Sequence, residues 1–214
     1  MKPGMRTVAA LAIMAWAPYP FAQPTPEAVS AARSSAPASG AALAGAALLR
    51  ELRRGGYVIY FRHTATDFSK RDDAMKGFDD CDNQRLLSPQ GRDDARRIGE
   101  TIRALKLPLG EVLASPMCRT MDHATLTFGR VTPAPTVALR ESGGGDYPGL
   151  ARLLSARVAA GSNRWMVGHG IPFRAVAGPP HLAEGEAVVM KPDGTGWTVL
   201  ARITVADWAA LARQ

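Results

Sequence analysis

Gly55-Gly-Tyr57-Val-Ile-Tyr-Phe61-Arg62-His63 decides the fold. Tyr57–Phe61 is five consecutive apolar, β-forming residues, the pattern of a short strand covered on both faces rather than on one. The glycine pair before it stops the preceding helix. That helix spans Ala41–Arg54, with Leu43, Ala47 and Leu49 on one side and Arg50, Arg53 and Arg54 closing it. Immediately after the strand the chain turns polar, beginning with Arg62-His63, and residues 62–85 read as irregular.

The same grammar recurs downstream. Ser88-Pro89 opens a helix, with serine as cap and proline at the first position, and Ala95, Ile98, Ile102 and Leu105 share one of its faces. Val112–Ala114 is a second strand, and Ser115-Pro116 starts a helix running to about Phe128. Thr136–Leu139 reads as a weak third strand, Leu150–Ala159 as a helix and Arg164–Gly168 as a fourth strand. Glu186–Met190 and Trp197–Thr204 flank the turn Pro192-Asp-Gly-Thr-Gly196 as a hairpin, and Ala206–Arg213 closes the chain as a helix. Alternating strands and helices predict an α/β protein, a three-layer α/β/α sandwich around a mostly parallel central sheet.

The N-terminus reads as an address rather than as part of the core. Lys2 and Arg6 precede the short apolar run Val8–Ala17, and Ala22 supplies a small residue for cleavage. These are the parts of a secretory signal over residues 1–22, and they predict a periplasmic or secreted protein. Residues 23–40, rich in Pro, Ala and Ser, cannot bury enough apolar surface to order themselves and form a tether. The folded domain then covers 41–214. The 214 residues carry 26 basic and 19 acidic side chains, a net charge of +7, which falls to +5 once Lys2 and Arg6 are removed. Two cysteines are too few for a disulfide scaffold, and 46% hydrophobic residues exclude a disordered chain. No basic run is interleaved with aromatics, so nucleic acid is not an expected partner. Phosphorylated substrates and peripheral contact with an anionic membrane surface both fit the charge.

In an open α/β sheet, ligands sit beyond the carboxyl ends of the strands. The first strand runs into Arg62-His63, the second into Ser115-Pro-Met-Cys-Arg119 at a helix start, and the fourth into Gly168-His169-Gly170. Two arginines and two histidines would thus converge beside backbone N–H groups suited to an anion. Guanidinium forks match phosphate oxygens, and a neutral imidazole among them can attack phosphorus. His123 and His181 read as surface or capping residues. A cysteine-based phosphatase needs Cys and Arg five residues apart, which neither Cys81 nor Cys118 provides. Walker and Gly-x-Ser-x-Gly motifs are missing, and four histidines without paired spacing predict no metal.

Arg62-His63-Thr64-Ala65-Thr66, Leu87-Ser-Pro-Gln-Gly91-Arg92, Ser115-Pro-Met-Cys-Arg119-Thr120 and Gly168-His169-Gly170, in this order, resemble the histidine phosphatase superfamily, the phosphoglycerate mutase-like group. The resemblance spans residues 45 to 178 and, with the exported start, suggests a small periplasmic branch. It implies that His63 becomes phosphohistidine and that Arg62, Arg119, His169 and Thr66 hold the phosphate. It also implies Glu141, in Leu139-Arg-Glu141, as proton donor to the leaving oxygen; Asp146, across Gly143-Gly-Gly145, is the substitute candidate from its own position in the sequence. No cofactor is implied. Thr64 stands where the family most often has Gly, and the stretch from Glu141 to Arg164 is short. The first departure narrows the pocket beside His63, and the second leaves little lid and favours an open hydrolase over a mutase. With the basic surface, a phosphorylated small molecule or glycolipid is the expected substrate. A phosphohistidine protein phosphatase and a non-catalytic phosphate-binding module are the alternatives. Export would allow Cys81 and Cys118 to pair, pinning the Asp79–Arg85 loop over the site.

Overall fold

The structure, a computed structural model, describes residues 42–134 and 147–214. The expected signal, tether and third strand at Thr136–Leu139, together with Glu141 and Asp146, lie outside them. Six strands form one sheet: β1 Val58–Arg62, β2 Val112–Ala114, β3 Thr132–Pro133, β4 Arg164–Gly168, β5 Ala187–Pro192 and β6 Trp197–Ile203. Their order is β3-β2-β4-β1-β5-β6. The first four in that order are parallel, and the β5–β6 hairpin adds antiparallel to β1.

The unbroken apolar run of β1 is buried on both faces. Ile59 and Phe61 join a cluster with Trp165, Val167 and Trp208, whereas Val58 and Tyr60 join Met166, Phe173 and Leu154 on the other side. Four helices cover the first face: α1 Gly45–Arg54, α2 Pro89–Ala104, α3 Cys118–Phe128 and α6 Val205–Leu211. Two cover the second, α4 Pro148–Ser155 and α5 Gly170–Ala177. Phe61 stacks on both Trp165 and Trp208, with ring centroids 6.4 and 5.9 Å apart. The sandwich therefore has three layers, as the alternation predicts.

Several boundaries differ for local reasons. Helix α1 begins at Gly45 because the preceding segment is drawn to the sheet edge, where Leu43 donates its N–H to the Leu200 carbonyl at 2.8 Å. Helix α3 begins at Cys118 rather than at Ser115. A residue before proline is held extended, and Ser115 prolongs the sheet by donating its N–H to Val167 O at 3.0 Å. Helix α4 ends at Ser155, short of Ala159. Helix α5 was not expected, since Gly170 and Pro172 in its first turn are poor helix formers. Ser88 caps α2 as its position predicts, accepting from Gly91 N at 3.0 Å.

The topology places the site. β1 and β4 are neighbours, yet the chain leaves β1 toward α2 on one face and leaves β4 toward α5 on the other. Connections that part in opposite directions open a crevice at the carboxyl ends of two parallel strands.

Candidate active site

Arg62 pairs with Gly168 in the β1–β4 register, so His63 and His169 leave the sheet side by side. His63 donates its backbone N–H to Gly168 O at 3.0 Å. Their rings meet edge to face, centroids 5.5 Å apart, and each residue is 3% exposed.

The His63 side chain is fixed by its own backbone. Its Nδ1 lies 2.9 Å from the Thr64 carbonyl oxygen. A carbonyl only accepts, so Nδ1 carries the proton and the Nε2 lone pair is left for chemistry. Burial drives the His63 pKa well below the ordinary histidine range, and His169, Arg119 and Arg62 push the same way against the Thr64 hydrogen bond. At neutral pH the ring is uncharged, the form a nucleophile needs.

His169 is held at both ends of its backbone by one side chain. The Tyr60 hydroxyl accepts from His169 N at 2.9 Å and donates to His169 O at 3.0 Å, while its ring stacks on Phe173. His169 Nε2 lies 2.9 Å from Ser115 Oγ, and its Nδ1 is buried without a hydrogen-bond partner. If the serine hydroxyl donates to Nε2, Nδ1 carries a hydrogen with no partner among the described residues, which suits a phosphoryl oxygen. Burial first, then Arg119, Arg85 and Arg62, lower its pKa to about 3.

Arg119, one residue into α3, is 2% exposed despite its charge. Its Nη1 donates to Asp72 Oδ1 at 3.1 Å and to the Arg85 carbonyl at 3.4 Å. Arg62 donates through Nη1 to Leu182 O at 2.8 Å and pairs through Nη2 with Glu184 at 3.3 Å. Thr66 gives its hydroxyl hydrogen to the same Glu184 oxygen at 3.0 Å. Each guanidinium is thus oriented by a carboxylate contributed from a distant loop. Two helices, α3 and α5, also begin at this crevice and bring the positive ends of their dipoles to it.

Cys81 and Cys118 are joined by a disulfide with Cα atoms 5.7 Å apart. Gln84 reinforces it, accepting from Cys118 N at 3.0 Å through its carbonyl and donating to Phe78 O at 2.9 Å. This short network sets Arg85 and Asp72 against Arg119.

Of the residues expected at the site, His63, Arg62, Thr66, Arg119 and His169 are brought together, and Glu141 and Asp146 fall outside the described residues. His181 is exposed, as read, and it packs closely over Gly170: a Cβ there would stand 2.5 Å from its Nε2. His123 is not a surface residue. It is fully buried on α3 behind Thr64, because the fourth residue after Arg119 lies on the same inward face of the helix. Asp72, Gln84, Arg85 and Glu184 were missed. Only Gln84-Arg85, one residue before the Leu87-Ser-Pro motif, carried any local signal. Among the described residues no group of His, Cys, Asp and Glu could hold a metal ion.

Comparison with known proteins agrees with this fold. A family model described as histidine phosphatase superfamily (branch 1) matches residues 58–178, more than half of the chain. The protein histidine phosphatase SixA, solved with tungstate, is 14% identical with a TM-score of 0.51, over 71% of this chain and 98% of SixA. A variant of the Entamoeba histolytica phosphoserine phosphatase, solved with phosphoserine, is 12% identical with a TM-score of 0.50, over 71% and 98% of the two chains. Rv3214 of Mycobacterium tuberculosis is 18% identical with a TM-score of 0.50, over 68% and 96%. At these identities the likeness is one of fold. No curated protein sequence matches. Through the family match over the segment that carries every one of these strand ends, the chain belongs to the histidine phosphatase superfamily (branch 1) and is a histidine-nucleophile phosphatase.

Proposed function

We propose that this protein is an exported phosphomonoester hydrolase in which His63 takes the phosphoryl group and passes it to water. One observation carries the reading: a buried, neutral imidazole whose Nδ1 is committed to the Thr64 carbonyl stands beside His169 and among Arg62 and Arg119. His63 Nε2 attacks phosphorus as the bond to the leaving oxygen breaks. Arg62, Arg119 and the Nδ1–H of His169 hold the equatorial oxygens, where charge spreads in a loose transition state. The leaving oxygen takes a proton from Glu141, or from Asp146 in its place, and water then cleaves the N–P bond of phosphohistidine. Phosphorylated small molecules and glycolipids are the substrates that the basic surface favours, and anionic headgroups are a surface on which it would dock.

The test is hydrolysis of an aryl phosphate by the mature protein beside His63→Ala. Turnover that disappears in the variant, with acid-labile phosphate trapped on the parent, supports the reading. Undiminished turnover in the variant refutes it. A second reading, in which the donor is a phosphohistidine on a protein, is favoured by the match to nearly the whole length of SixA. Faster dephosphorylation of a phosphohistidine-bearing protein than of the aryl ester would select it.

A further inference from the structure

His123 lies where the sequence gives no reason to look for function: fully buried on α3, its ring edge-on to Phe61 with centroids 5.3 Å apart. Its Nδ1 accepts the backbone N–H of Thr64 at 3.1 Å, and its Nε2 is buried without a hydrogen-bond partner among the described residues. An acceptor at Nδ1 requires the Nε2–H tautomer. The side chain therefore keeps an unsatisfied polar hydrogen in the core for the sake of one backbone contact. A buried, unpaired polar group is unfavourable, so an aliphatic residue here would pack better if packing were all that mattered.

That contact sits one residue from the nucleophile. Thr64 receives His123 through its N–H and holds His63 Nδ1 through its C=O. Thr64 is itself buried, with its own hydroxyl unpartnered, and its Cα and Cγ2 lie against Gly185. With the side chain of Thr64 making no hydrogen bond among the described residues, its backbone conformation is fixed by groups outside it.

We propose that His123 is a positioning residue: as a neutral imidazole it anchors the Thr64 amide, and so aims the Thr64 carbonyl that fixes the tautomer and orientation of His63. Burial, which draws the His123 pKa to about 3, keeps the ring neutral across the working range. A charged ring would carry hydrogens on both nitrogens and lose the contact. The proposal rests on His63 being the nucleophile.

The experiment compares His123→Asn, whose side-chain oxygen can stand near the place of Nδ1, with His123→Leu, which fills the space without an acceptor. The readouts are kcat, KM and the rate of phosphohistidine formation on an aryl phosphate, with Tm alongside. A misplaced nucleophile costs about tenfold to hundredfold in rate. His123→Leu should therefore lose that much in kcat with KM within about twofold, and His123→Asn should recover most of it at a similar Tm. Asn as slow as Leu, or Leu as fast as the parent, overturns the proposal.

Should either variant fail to fold, 15N spectra of the histidines in the parent decide. Nε2–H at His123 and Nδ1–H at His63 are expected, and Nδ1–H at His123 overturns the proposal. Activity surviving in His63→Ala would instead overturn the nucleophile assignment, a result read from a different variant.

Discussion

Reducing the Cys81–Cys118 disulfide should destabilise the domain and loosen the phosphate pocket in one step. The bridge spans 37 positions of sequence. In the chain-entropy view, freeing a loop of that length in the unfolded state is worth about 4 kcal/mol. For a domain of this size each kcal/mol moves Tm by about 3 °C, so a fall of about 10 °C is expected. Cys81 is exposed, which gives a reductant access, while Cys118 is buried at the start of α3. The segment around Cys81 that the bridge tethers carries Gln84, bonded to Cys118 N, and Asp72, paired with Arg119. Without Asp72 the Arg119 guanidinium loses the carboxylate that orients it, and a misplaced binding group is expected to cost about tenfold or more in kcat/KM. The assay is thermal unfolding and aryl phosphate turnover of oxidised and reduced protein, with two free thiols verified by mass, beside the variant carrying Cys81→Ser and Cys118→Ala. A fully reduced protein whose Tm stays within about 2 °C of the oxidised form would refute the argument from loop closure.

Two further outcomes follow from the same geometry. Histidine titrates near pH 6.5 when unfolded, whereas in the fold His123 and His169 titrate at about 3 and His63 well below its ordinary range. Their contribution is whole above pH 6.5 and is lost as pH falls toward those folded values, because the unfolded chain binds up to three protons that the fold declines. The slope is up to about 4 kcal/mol per pH unit, and a Tm that stays flat between pH 7 and 5 would contradict it. Gly91→Ala should impair both stability and turnover, since a Cβ there would stand 2.0 Å from Ala65 O, the carbonyl that also receives Ser88 N. About 1–3 kcal/mol is expected for such overpacking, and denaturant unfolding together with kcat/KM of the variant checks it.

The parts of the molecule that were legible are those written locally. The run Tyr57–Phe61, the cap Ser88 and the strand Arg164–Gly168 each carry their signal within a few neighbours, and the strand ends deliver His63, Arg119 and His169 by backbone continuation alone. Helix α5 was hidden because Gly170 and Pro172 contradict its propensity, and packing of Phe173 against Tyr60 decides the matter instead. Asp72 and Glu184 were hidden for another reason. They reach Arg119 and Arg62 across 47 and 122 positions of chain, and no window of sequence contains both partners. His123 lay between these cases: its spacing from Arg119 put it on the inward face of α3, but its partner, the Thr64 amide, is 59 positions away.

The guanidiniums that help to lower the histidine pKa values would have a different effect once a phosphoryl group lies among them. Burial is the first cause of the shift at His169, and the nearby Arg119, Arg85 and Arg62 come next. A phosphoryl group carrying up to two negative charges neutralises the field of those arginines, and its oxygens accept a hydrogen bond from the ring. Both changes favour the protonated imidazole. In the proposed reaction the His169 pKa would therefore rise as substrate binds, while His63, whose Nε2 lone pair would be consumed in the attack, needs only to be neutral beforehand. One cluster of positive charge thus adds to the burial that keeps the nucleophile unprotonated before binding. After binding it lets the neighbouring histidine become a better hydrogen-bond donor as charge gathers on the transferring group.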